Sequence, residues 1–106
     1  MTPRLRAILS DLRTRLEKLY GERLVKLVLY GSQARGDSEP GSDIDVLVVL
    51  RGDVRPCEEI ERTLEDVTTV SLENAATLAC VFVSEARYQK EQSPLLMNVR
   101  REGVPA

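Results

Sequence analysis

Histidine and tryptophan are absent from this chain of 106 residues, and aromatic residues make up only 4% of it. Without imidazole there is no zinc site of the Cys/His kind and no Ser-His or Cys-His nucleophile pair. The two cysteines, Cys57 and Cys80, stand far apart and in no Cys-x-x-Cys pair, so they are expected as free, buried thiols of a reducing compartment. No apolar run approaches the length of a membrane span, the longest being Val46 to Leu50, and the charged start of the chain carries no apolar leader segment. A cytoplasmic location is the expectation. Nor is there an excess of positive charge. Lys and Arg number 15 against 17 Asp and Glu, a net charge of -2, which argues against duplex nucleic-acid binding by bulk electrostatics.

What is there suits one folded domain. Hydrophobic residues make up 42% and charged residues 30%, and a chain of this size buries about 65% of the surface its unfolded form exposes. With so few aromatics the core must be aliphatic. The charge is uneven. Arg4, Arg6, Arg13, Arg15 and Lys18 load the first segment, Arg100 and Arg101 sit near the end, and the stretch from Glu58 to Glu73 is acidic. Both clusters read as solvated helix faces.

Leu5, Ile8, Leu9, Leu12, Leu16, Leu19 and Tyr20 recur at steps of three and four and predict an amphipathic helix over residues 3 to 20. Thr2 is its cap, Pro3 its first residue and Gly21 its stop. Residues 24 to 30 and 43 to 50 read as strands, the second apolar enough to be covered on both faces. Residues 32 to 35 are polar and suit a short helix, and residues 37 to 42 carry a turn signature. A helix follows over residues 57 to 72, with Ile60, Leu64, Val67 and Val70 or Ser71 on one side. A third strand covers residues 77 to 83. Ser84 caps a short helix through Tyr88. Ser93 and Pro94 open a last helix, ended by Gly103, whose buried side is Leu95, Leu96 and Val99.

Chemistry concentrates between Leu29 and Leu50. Asp43 and Asp45 are two residues apart at the head of a strand, so both side chains project from one face while Ile44 takes the other. Two adjacent carboxylates repel, and a hard divalent cation with oxygen ligands offsets that cost. Magnesium suits the role, because it takes one or two carboxylates and completes its shell with water and phosphate oxygens. Gly31 and Ser32 follow a strand and precede a helix start, where a glycine lets a ligand approach the backbone and the N–H groups favour anions. A triphosphate held there can share the metal with Asp43 and Asp45. Arg35 admits two readings, a contact to phosphate or a partner, or an exposed turn residue paired with Asp37. The Arg-Gly-Asp triplets at residues 35–37 and 51–53 fall at strand boundaries and read as turns.

Gly31-Ser32, ten residues, then Asp43-x-Asp45, on two successive strands, resembles the signature of the minimal nucleotidyltransferase family of the DNA polymerase β-like superfamily. The resemblance implies an α/β fold, a short mixed sheet flanked by helices. It implies that Gly31 and Ser32 hold the triphosphate, with Arg35 beside them, and that Asp43 and Asp45 bind Mg2+ and serve catalysis. Members of the family are commonly antitoxins encoded beside a HEPN-type helical toxin, and active ones transfer AMP from ATP to a tyrosine of that toxin. The family's third catalytic carboxylate lies on a later strand, and here residues 74 to 84 hold no acid; Glu73, the nearest, ends a helix.

Two readings follow. The first is a protein adenylyltransferase. The second is a catalytically impaired nucleotide-binding antitoxin that neutralises its partner by contact. The intact Gly31, Ser32, Asp43 and Asp45 favour the first. A small-molecule nucleotidyltransferase fits less well, because it needs a second domain to hold its acceptor. Leu95-Leu96-Met97 is a candidate contact patch, although helical spacing of Leu96 and Val99 favours a helix docked on the sheet. Self-association through the first helix stays open.

Overall fold

The computed structural model describes residues 1–36 and 41–106. Most of the expected turn over residues 37 to 42, and Asp37 as a partner for Arg35, therefore lie outside the described residues. Helix α1 spans Pro3–Tyr20. The Thr2 side chain accepts the Leu5 N–H at 3.1 Å, and the helix ends at Gly21, with φ of 56°. Its buried stripe is Leu5, Ile8, Leu9, Leu12, Leu16 and Tyr20, each large side chain contributing about 1.5–3 kcal/mol of burial. Leu19, counted in the apolar set from its spacing, is 40% exposed.

A single 3₁₀ turn, Gly21–Arg23, leads into strand β1, Leu24–Tyr30. Strand β2 spans Ile44–Leu50 and strand β3 spans Leu78–Ser84. A fourth, two-residue strand β4, Val104–Pro105, was not legible in the sequence. The sheet order is β3-β2-β1-β4, with β1 antiparallel to both β2 and β4, and β2 parallel to β3. Both faces of β2 are covered as expected. Ile44, Val46, Val48 and Leu50 pack beneath α1, and Leu47 and Val49 pack with Leu96 and Val99 on the opposite face.

The crossover from β2 to β3 is helix α3, Pro56–Glu73. It lies beside α1 and differs from the pattern read in the sequence. Its buried residues are Glu59, Thr63 and Val70, while Ile60 and Leu64 are 49% and 58% exposed. Val67 is partly buried against the core. Polar residues enter because each finds a partner. The Glu59 carboxylate accepts from the Tyr20 hydroxyl at 2.8 Å and from Arg62 at 2.9 Å, and the Thr63 hydroxyl donates to the Glu59 carbonyl at 2.8 Å. Both cysteines are free as expected, but Cys57 on α3 is exposed and Cys80 on β3 is only partly buried.

Helix α4, Glu85–Lys90, starts at Ser84, whose side chain accepts the Arg87 N–H. Helix α5, Pro94–Glu102, starts at Ser93 and docks on the sheet through Leu96 and Val99, leaving Leu95 40% and Met97 47% exposed. Among the described residues, no helix is long and apolar enough to cross a membrane.

Candidate nucleotide and metal site

Strand period places the two carboxylates. Ile44 points into the core beneath α1, so Asp45 falls on the other face, with Leu47 and Val49 further along. Asp43 immediately precedes the strand and is exposed; Asp45 is half-buried. Burial, and then the charge of Asp43, raise the Asp45 carboxyl above its ordinary 3.8. Among the described residues, neither carboxylate has a Lys or Arg partner, whereas Glu59 has two. The chain leaves these two negative charges side by side, one of them partly desolvated.

The glycine turn abuts this pair. Tyr30 lies directly across from Asp45 in the β1–β2 ladder, and Gly31 follows with φ of 76°, a conformation that favours glycine. A Cβ at Gly31 would sit 2.5 Å from Asp45 Oδ2. Glycine therefore serves twice, in the backbone turn and in clearing space at the carboxylate. Helix α2, Ser32–Arg35, begins at once, its Ala34 and Arg35 N–H groups donating to the Gly31 carbonyl at 3.1 and 3.2 Å. The leading N–H groups of a helix have no intrahelical acceptor. The Ser32 N–H and hydroxyl are candidate donors on the turn whose Gly31 abuts Asp45. The Gln33 side-chain amide donates to the Ser42 carbonyl at 3.4 Å and ties α2 to the segment entering β2.

Arg35 is exposed on α2, with its guanidinium 3.6 Å from Glu102 at the end of α5. Neither of those residues pointed to the other in the sequence, because their meeting depends on β4, which pairs Leu29 with Val104 and brings the end of α5 to β1. Tyr30 was likewise passed over. Its position one residue before Gly31, in phase with Val28, was the available signal. The β2–β3 register pairs Asp45 with Ala79, so the residue beside Asp45 on the next strand is an alanine. Glu73 ends α3. No group of three His, Cys, Asp or Glu residues able to hold a metal occurs among the described residues.

The donor set fits a hard cation that brings other ligands with it. Two carboxylates, one of them partly desolvated, and an adjacent glycine turn suit Mg2+ shared with a triphosphate, and do not make a self-sufficient protein cage.

Comparison with known proteins agrees with this geometry. The family model for the nucleotidyltransferase domain matches residues 9–94. A candidate protein adenylyltransferase of Methanocaldococcus jannaschii is 33% identical over 76 residues, covering 72% of this chain and 70% of that protein. Among solved structures, a toxin–antitoxin crystal structure with AMP-PNP superposes with a TM-score of 0.62 at 17% identity, over 90% of this chain and 69% of that one. A candidate nucleotidyltransferase of Sulfolobus solfataricus superposes with a TM-score of 0.55 at 18% identity, over 99% and 86%. At those identities the two structures speak for the fold.

Proposed function

The chain belongs to the nucleotidyltransferase domain family, and from that premise we propose that it is a magnesium-dependent protein adenylyltransferase acting as an antitoxin. The observation that carries this is the pairing of Asp43 and Asp45, which have no Lys or Arg partner among the described residues, with a glycine turn at positive φ where a Cβ would crowd the Asp45 carboxylate. The adenylyltransferase relative and the toxin–antitoxin neighbour with AMP-PNP support the same reading. We take the acceptor to be a HEPN-type toxin and the setting to be the cytoplasm, in keeping with two free cysteines.

Gly31 and Ser32 hold the β- and γ-phosphates through backbone and hydroxyl donors, and Arg35 adds charge at the rim. Asp43 and Asp45 would hold Mg2+, which when bound would polarise the phosphoryl oxygens and stabilise the pyrophosphate charge. An acceptor hydroxyl attacks the α-phosphorus. The new P–O bond forms as the bond to the bridging oxygen breaks, and pyrophosphate leaves. With Ala79 where a third carboxylate would stand, the hydroxyl proton passes to solvent or to a group of the acceptor. Rate is lost by this, on the order of 10²- to 10⁴-fold for a missing general base.

The alanine also favours a second reading, in which the chain binds nucleotide and neutralises its partner by contact. Intact-mass spectrometry of a coexpressed HEPN-type partner separates the two. One AMP-sized increase with the parent chain and none with Asp45→Asn is the expected result. An unmodified partner that co-purifies with both versions establishes contact alone.

A further inference from the structure

Helix α3 turns an uncharged flank outward. At about 100° per residue, Val67, Ile60, Ser71, Leu64, Cys57 and Thr68 fall along one side of it, and none carries charge. Five of them, Cys57, Ile60, Leu64, Val67 and Ser71, step by three, four, three and four. That is the spacing of a seam that receives another helix. Ile60 is 49% and Leu64 58% exposed, and Leu72, on the adjoining outer ridge, is 76% exposed.

This flank faces away from the rest of the helical layer. Asp66 meets Arg15 of α1 at 3.2 Å and Glu59 meets Tyr20 of α1 at 2.8 Å, so the opposite side of α3 is the one packed on α1. The flank therefore lies on the β3 side, and β3 ends the sheet. Glu58, Glu61 and Glu65 line its outer margin at steps of three and four. Glu58 has Arg55 at 3.5 Å, and among the described residues Glu61 and Glu65 make no ion pair.

Helix α3 runs back along the β2–β3 crossover, and its last turn reaches the end of the sheet where Ile44 pairs with Leu78 and its N–H donates to the Thr77 carbonyl at 2.8 Å. Asp43 immediately precedes Ile44. A helix laid along the flank thus ends at the same edge of the sheet as Asp43, on the face opposite the one that Asp45 shares with Leu47 and Val49.

We propose that the α3 flank is the docking surface for the protein acceptor, through an amphipathic helix with an apolar seam and an Arg- or Lys-rich margin. This rests on the reading that the chain acts on a protein. The acidic margin selects the occupant, because a second copy would set Glu58, Glu61 and Glu65 against the same three acids, whereas a basic helix complements them.

The test needs no nucleotide, so its failure is distinct from failure of the adenylyl-transfer reading. Two synthetic 18-residue helical peptides serve as probes. Both carry Leu at heptad seam positions, one with Arg and the other with Glu along the margin. The Arg peptide is expected to bind the full chain at least about tenfold more tightly than the Glu peptide. Leu64→Glu, at an exposed position, should weaken the Arg peptide at least about tenfold and leave ATP affinity unchanged. The double variant Glu61→Lys and Glu65→Lys should reverse the preference between peptides. Equal binding of both peptides, or binding indifferent to Leu64→Glu, overturns the proposal. So does sedimentation showing a dimer of the parent that Leu64→Glu dissociates, which would assign the flank to a second copy.

Discussion

Two acidic centres of this molecule are treated in opposite ways. Glu59 is 2% exposed and closed by its own chain. Tyr20 and Arg62 donate to it, Arg23 stands 3.6 Å away, and the Arg23 guanidinium also lies over the Tyr20 ring, 5.7 Å from its centroid. Burial and the bond to Glu59 hold the Tyr20 hydroxyl well above its ordinary pKa, so it stays a donor. Among the described residues, Asp43 and Asp45 get no such closure. They repel one another beside a turn kept clear of side chains. A carboxylate satisfied from within joins α1 to α3. A pair left unsatisfied stores an electrostatic cost that an incoming cation and phosphate can relieve. Burial alone does not distinguish structure from function here; the presence or absence of a protein cation does.

Gly31→Val should break the contrast most completely. Its side chain meets Asp45 Oδ2 and its backbone must hold a positive φ, so titration calorimetry should detect no ATP binding in a protein whose circular dichroism shows it folded. Unchanged affinity would remove the phosphate turn from the account. Next in size is Glu59→Ala, which leaves Tyr20 without its acceptor and two arginines without their buried anion. Both arginines remain partly in water, so the loss is about 2–3 kcal/mol, below that of a fully buried pair, read by denaturant unfolding. Nucleotide affinity of the folded fraction should not move. If it falls with stability, the two centres are coupled.

The smallest effect lies in the pH dependence at Asp45. Because the native Asp45 pKa is raised, the folded chain holds that proton more tightly than the unfolded chain does. Stability without metal should therefore decline as pH rises from 3.8 through the native value. Asp45→Asn should flatten that slope and raise the melting temperature at neutral pH by a few degrees, while ending transfer. A lower melting temperature for Asp45→Asn would mean that the carboxylate is a structural anion like Glu59.

Elements with strong local signals were legible in the sequence. Thr2, Ser84 and Ser93 cap where expected, and the helix and strand limits fall within one or two residues. Strand β4 escaped because two residues carry no period. The buried face of α3 escaped because Glu59 and Thr63 enter only with partners, one of them 39 residues away in the chain. The spacing of Gly31-Ser32 and Asp43-x-Asp45 placed the turn and the carboxylates on adjacent strands, as found. The register that sets Ala79 beside Asp45, and the meeting of Arg35 with Glu102, depend on tertiary pairing that no local pattern encodes.

If Asp43 and Asp45 lack a protein cation because they take a metal-bound triphosphate, magnesium should govern ATP affinity. Calorimetric titration of ATP into the parent and into Asp43→Asn, each with and without magnesium, tests it most directly. The parent should bind ATP far more tightly with magnesium than without it, and the variant should lose most of that difference. Equal magnesium-ATP affinity for the two proteins would contradict the assignment of the carboxylate pair.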